Sequence, residues 1–195
     1  MGRHAKFTED QILDATLHLV ADGGPGTTTI AAIAEQLGAP SGSLYHRFKS
    51  RDLLLARLWI RTIKRFQHGF LAALADDDLD AAALGAARHV VRWSREHMDE
   101  ARVLLLFRRE DLATQWAEDL GKELAILNSD VEAALWDYAR RRYGVADGAM
   151  MQRVTFALVD VPYAAGRRYL LASAPPPPSV DALVAATCRC VLAAD

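Results

Sequence analysis

Thr28-Thr29-Ile30-Ala31-Ala32-Ile33-Ala34-Glu35-Gln36-Leu37-Gly38 and, after Ala39-Pro40, Ser41-Gly42-Ser43-Leu44-Tyr45-His46-Arg47-Phe48-Lys49-Ser50-Arg51-Asp52-Leu53-Leu54 form the stretch that decides the fold. Thr28 or Thr29 offers a hydroxyl cap, and Ile30, Ile33, Ala34 and Leu37 recur at three and four residues, the spacing of one helical face. Gly38 is suited to a left-handed stop, Pro40 fixes the next start, and Ser41 can cap a third short helix. Two short helices with a glycine between them, crossed by a preceding helix, make a helix-turn-helix unit. Ile33, Leu37, Leu44 and Phe48 are its expected core. Ser41, Ser43, Tyr45, His46 and Arg47 then face outward, and Gly42 lets backbone come close to another molecule. Hydroxyls, a phenol, an imidazole and a guanidinium can all reach phosphates or base edges. Lys49 and Arg51 stand at the start of the next helix, where free backbone N–H groups also favour phosphate.

Upstream, Thr8 is an N-cap with Gln11 in the box position, and Ile12, Leu13, Ala15, Thr16, Leu19 and Val20 form one face. Gly23-Gly24 stops that helix and Pro25-Gly26 prevents its resumption. Downstream, a long helix spans 51–74, Asp76-Asp77-Asp78 provides a break and a cap, and another helix covers about 80–98. Shorter pieces follow at about 99–107 and 110–119, then an amphipathic stretch to Tyr143, stopped by Gly144. A helix over about 149–172 carries Pro162, which bends it or opens its hydrogen-bond ladder. Pro175 to Pro178 forms a stiff spacer before a last helix at 180–193. The expectation is an all-α chain of about nine helices: a helix-turn-helix domain over 1–52 and a helical bundle over 53–195, joined through the shared helix 51–74.

Charge is distributed to match. Residues 1–65 hold nine Lys and Arg against six Asp and Glu, whereas the remainder holds fourteen against nineteen. A basic head on an acidic body suits a protein that meets phosphate at one end. Arg3 and Lys6 are either a basic arm for the minor groove or a frayed end. The two cysteines, Cys188 and Cys190, fall on different helix faces and have no ligand-spaced companions, so neither a mutual disulfide nor a metal set is expected. No signal peptide is visible, and no apolar run approaches the roughly 18 residues of a membrane span, so the expected location is the cytoplasm. No Gly-rich phosphate loop, metal cluster or Gly-x-Ser-x-Gly element occurs; neither an enzyme nor a cofactor is expected.

Over about residues 8–55 the sequence resembles the DNA-binding signature of the TetR family of bacterial regulators. The resemblance rests on the two helices, the Gly38 turn, Leu44-Tyr45-x-x-Phe48 and the tail Lys49-Ser50-Arg51-Asp52-Leu53-Leu54. It implies a homodimer with two DNA-reading heads and a larger C-terminal ligand domain, a repressor that leaves its promoter when a small molecule binds. By position it implies phosphate contacts from Tyr45 and Lys49, and base reading from the start of the third helix. Thr28, Thr29, Ser41, Gly42, Ser43, His46, Arg47 and Arg51 complete the expected DNA surface. Departures are Arg47 where a His is common, Ile30 where some relatives use a phosphate-binding Thr, and the small Ser41.

The acidic body is rich in aromatics, which serve as core or as the wall of a ligand cavity. The candidate pocket residues are Phe66, Trp93, Phe107, Trp136, Phe156 and Tyr163, with His97 and Asn128 as polar anchors, for an apolar or aromatic effector. The candidate dimer face is Val154, Leu158, Val161 and Ala165 on one helix and Leu183, Val184, Thr187 and Val191 on the last. Two-fold symmetry would demand a near-palindromic operator. The competing readings are an activator and a protein-interaction module without ligand control.

Overall fold

The computed structural model describes residues 7–193, so the Arg3 and Lys6 arm lies outside the described residues. Among the described residues there are twelve α-helical segments, one π-helical turn and no strand. The head consists of α1 (Glu9–Gly23), α2 (Ile30–Leu37) and α3 (Ser41–Tyr45). The Thr8 side chain accepts from the Gln11 amide while the Gln11 side chain accepts from the Thr8 amide, completing the box. Thr29, not Thr28, caps α2, and Gly38 ends it in the left-handed region at φ 60°, ψ 37°. The third helix begins one residue earlier than Ser41 capping would give: Pro40 holds the cap position, and Ser43 Oγ donates to its carbonyl.

α4 (Arg51–Leu74) leaves the head and runs into the body, capped by Ser50. α5 (Leu79–Glu96), capped by Asp78, is the central body helix and packs on α4 where Gly85 meets Ala73 and His89 meets Gly69 and Phe66. Small side chains there let the helices approach closely. The region 98–126 breaks into α6 (Met98–Val103), α7 (Arg109–Gln115) and α8 (Ala117–Ile126), and α9 (Ser129–Tyr143) follows, ended by Gly144. The amphipathic stretch expected to run unbroken to Tyr143 is thus two helices.

α10 (Gly148–Thr155), the π turn (Phe156–Asp160) and α11 (Val161–Leu171) form one continuous rod. The π turn lies immediately before Pro162, which has no N–H to continue the ordinary ladder. α12 (Ser179–Ala193) closes the bundle against α5. The proline spacer before it is pinned: Arg95 donates to the carbonyls of Pro176 and Pro177 and, with Arg92, to the Asp181 carboxylate. Those arginines hold Asp181 below the usual carboxylate range against the opposing effect of burial.

Two main apolar cores result. One joins α1–α4 to Val103, Leu112, Leu120 and Leu124 of the α6–α8 segment. The other gathers α5, α9, the rod and α12 around the far half of α4. Among the described residues no helix is long and apolar enough to cross a membrane. Cys188 is buried, which lifts its thiol to about 11, and Cys190 is exposed.

Candidate nucleic-acid interface and effector cavity

Leu44 and Phe48 turn inward and are buried, which forces the rest of α3 and its C-terminal turn outward. Ser41, Gly42, Ser43, Tyr45, His46 and Arg47 are all exposed, and Tyr45 is 59% exposed despite its size. Thr29 is also exposed at the start of α2, its hydroxyl accepting from Ala32 N. Eight of the ten expected DNA residues, these seven together with Lys49, therefore lie on the surface of the head.

Two do not. Thr28 is 1% exposed and its hydroxyl donates to the Gly24 carbonyl at 3.0 Å, so it shapes the α1–α2 connection. The Arg51 guanidinium is turned back into the head, donating to the carbonyls of Pro25 and Thr28 and pairing with Asp52. It struts the α2 entry against α4 and offers little to a phosphate.

Lys49 is shared. Its Nζ lies 2.5 Å from Asp119 on α8, 70 positions along the chain, while the side chain stays largely open to solvent. That hydrogen bond, helped by the charges of Asp119 and Glu118, raises the lysine above its ordinary value. Glu123, one turn further along α8, pairs with Arg57 at 2.7 Å and Lys64 at 2.5 Å on α4. A line of ion pairs thus clips α8 to the head and to the upper part of α4.

A cavity of about 290 Å³ opens between α4, α5, α6, the start of α7 and α11. Phe66, Trp93, Phe107 and Tyr163 of the expected pocket line it. The aromatic wall is ordered: the Phe66 ring is 5.3 Å from Trp93 edge-on and 5.2 Å from His89. His89 Nε2 meets the Phe66 carbonyl at 2.9 Å, and burial lowers this imidazole below its ordinary value.

The other four expected pocket residues are elsewhere. His97 stacks beside Trp93 at 5.3 Å and pairs with Glu100, outside the lining. Asn128 accepts from Gln67 Nε2, Trp136 is 38% exposed on α9, and Phe156 is 48% exposed on the π turn. In their place the cavity is lined by Trp59, Ile63, Leu104, Arg108, Arg109 and Arg167, among others. Trp59 and Ile63 stand seven and three residues before Phe66, so the period of α4 carried that signal.

The expected dimer face divides similarly. Val154, Leu158 and Val184 are buried inside this chain's own core, leaving no surface for a partner. Val161, Ala165, Thr187 and Val191 are half-buried, and Leu183 is 67% exposed. Phe156, Tyr163 and Leu171 join Leu183 as the large apolar side chains left open on the rod and α12. Among the described residues no group of acidic, His or Cys side chains is arranged to hold a metal ion.

The sequence model described as bacterial regulatory proteins of the tetR family matches residues 12–58. No curated protein matches at the level of sequence. Among solved structures, a transcriptional regulator from Rhodococcus has a TM-score of 0.75 at 14% identity, covering 95% of this chain and 96% of its own. The fatty acid degradation regulator from Bacillus halodurans has a TM-score of 0.66 at 14% identity, covering 96% and 100%. The ketosteroid transcriptional regulator of Mycobacterium tuberculosis has a TM-score of 0.65 at 18% identity, covering 97% of each chain. At these identities the likeness is one of fold.

Proposed function

We propose that the chain, whose residues 12–58 match the tetR-family model and whose fold is shared with solved transcriptional regulators, is a TetR-type homodimeric, cytoplasmic repressor released from a near-palindromic operator by a small effector. The observation that carries the DNA reading is the division of α3 and the turn after it into two sides. Leu44 and Phe48 anchor the segment while hydroxyl, phenol, imidazole and guanidinium groups face out. Tyr45 and Lys49 take phosphates, and Ser41, Ser43, His46 and Arg47 face the groove. The effector occupies the aromatic cavity, whose walls suit an apolar or aromatic body. Two solved neighbours are described as regulators of fatty acid degradation and as a ketosteroid regulator, which is consistent with such a ligand class.

Coupling follows a physical path. The loop entering α7 forms part of the cavity wall, α7 packs on α8, and α8 is clipped to Lys49 and to α4. An effector that moves α7 therefore acts on the position of the head. The second copy packs on the rod and α12 through Phe156, Tyr163, Leu171 and Leu183.

The test is fluorescence anisotropy of the full-length protein on DNA from upstream of its own gene, at several salt concentrations, beside Tyr45→Ala. Tight, sequence-selective binding that weakens with salt and with the substitution is expected. Equal binding to scrambled DNA by both proteins would overturn the assignment of α3 as the reading element.

A further inference from the structure

The mouth of the effector cavity differs in chemistry from its walls. The walls include Trp59, Phe66, Trp93, Leu104 and Leu170, and two of the donors in the lining are already engaged. Trp59 Nε1 donates to the Leu104 carbonyl and Ser94 Oγ to the Val90 carbonyl. The Trp93 indole N–H and the Tyr163 hydroxyl are the neutral donors that remain in the lining. The rim carries three guanidiniums against one carboxylate: Arg108 and Arg109 at the entry to α7, Arg167 on α11, and Glu110.

Glu110 is engaged by Arg109 at 3.4 Å, and Arg109 also donates to the Leu124 carbonyl. The Arg108 and Arg167 guanidiniums have no ion-pair or hydrogen-bond partner among the described residues, although the charge of Arg108 acts on Glu110, and they line the same cavity from different elements. Elsewhere in the body Arg57, Arg65, Arg92, Arg95 and Arg142 are paired with carboxylates, and Arg88, Arg102 and Arg189, which are not, lie outside this cavity's lining. A guanidinium fork is the side chain best matched to a planar carboxylate or a phosphate oxygen pair.

We propose that this cavity takes an amphipathic anion, its apolar body against Trp59, Phe66 and Trp93 and its carboxylate or phosphate head between Arg108 and Arg167. The proposal rests on the effector reading above and gives it a ligand class. A volume of about 290 Å³ holds an apolar body of roughly ten non-hydrogen atoms, at about 30 Å³ for a unit the size of water.

The experiment uses full-length protein, with tryptophan emission from Trp59 and Trp93 as the readout. Decanoate, decyl phosphate, decan-1-ol and decylamine are titrated below micellisation. At least one anion binds saturably, the alcohol binds about tenfold more weakly or worse, and the amine does not compete. The tighter of the two anions identifies the head group. Arg108→Gln with Arg167→Gln, both exposed positions, weakens the anion about tenfold or more and leaves the alcohol unchanged. Equal affinity for alcohol and anion, an anion affinity unmoved by the double substitution, or no saturable binding by either anion would overturn the proposal. DNA anisotropy run on the same samples separates the two readings. An anion that binds without altering operator affinity removes effector control but leaves the site, whereas loss of DNA binding without ligand removes the regulator reading.

Discussion

Gly69 lies on α4 beneath His89, and adding one methyl there tests the aromatic wall of the cavity. A Cβ at this position would sit 2.3 Å from His89 Cε1 and 3.0 Å from both ring nitrogens. The imidazole is held in place by its 2.9 Å contact with the Phe66 carbonyl and by the Phe66 ring, so it clears the methyl only by giving up both. Overpacking of this kind costs about 1–3 kcal/mol, and the lost hydrogen bond about 0.5–1.5 kcal/mol. Replacing a helical glycine with alanine returns about 0.8–1 kcal/mol. Gly69→Ala should thus destabilise the fold by roughly 1–3 kcal/mol. Gly121 on α8 is the control: a Cβ there would have nothing within 4 Å, and its alanine variant should gain up to about 1 kcal/mol. Urea midpoints at one fixed protein concentration measure both, since the proposed dimer would make stability concentration-dependent. In a His89→Ala background the cost of Gly69→Ala should vanish, a non-additivity expected of touching groups. A Gly69→Ala protein as stable as the Gly121→Ala protein would refute the reasoning.

Four further outcomes follow from particular contacts. Asp119→Asn frees Lys49 for DNA, and the salt dependence of operator affinity should steepen by about two in log–log slope for a dimer, one phosphate per head; an unchanged slope would remove the Asp119 clip from the coupling path. Arg51→Met removes the strut to Pro25 and Thr28 and should cost about 1–3 kcal/mol in urea unfolding, with the operator salt slope of the folded protein unchanged. Burial depresses the native His89 pKa below 6.5, so the unfolded chain takes up its proton first as pH falls. The His89 contribution is therefore complete above about pH 6.5 and declines below it, and His89→Phe should flatten the difference between urea midpoints at about pH 7.5 and about pH 5.5. Leu183→Glu, on the exposed side of α12, should shift sedimentation from dimer to monomer while leaving helical content unchanged.

The head was legible because its determinants are local. A cap at Thr8, a left-handed glycine at position 38 and the Leu44/Phe48 spacing each act within a few residues. What escaped the sequence acts over distance or depends on helix phase. Lys49 and Arg51 both read as phosphate ligands, but Asp119 is 70 positions from one, and the other is folded back on carbonyls whose positions only the loop conformation sets.

The rod shows the phase problem most clearly. An uninterrupted α-helix places Val154, Leu158, Val161 and Ala165 on one stripe, the basis of the expected dimer face. The π turn inserts about one residue, so the buried line continues through Pro162, Gly166 and Leu170 instead. Val161 and Ala165 are thereby rotated off it, and Phe156, which read as a cavity residue, is left open at the surface. Gly166 occupies a close approach to Ser94 and Val91. Pro162 signalled a disturbance, but a single sequence does not say whether a proline kinks a helix or rephases it.

The first apolar core runs without a break from α1, α2 and α3 through the start of α4 into Leu112, Leu120 and Leu124. In folding terms the cooperative unit is therefore larger than the DNA-reading head and includes the segment that carries Asp119 and Glu123. A fragment cut after the third helix would lose Leu54 and Leu58, both fully buried members of that core. The seam between the two cooperative units passes along α4 at Trp59, Ile63 and Phe66, where the cavity opens. A molecule wedged there changes how two otherwise separate unfolding equilibria depend on one another, so hydrogen exchange in the head becomes a reporter of occupancy in a cavity it does not line.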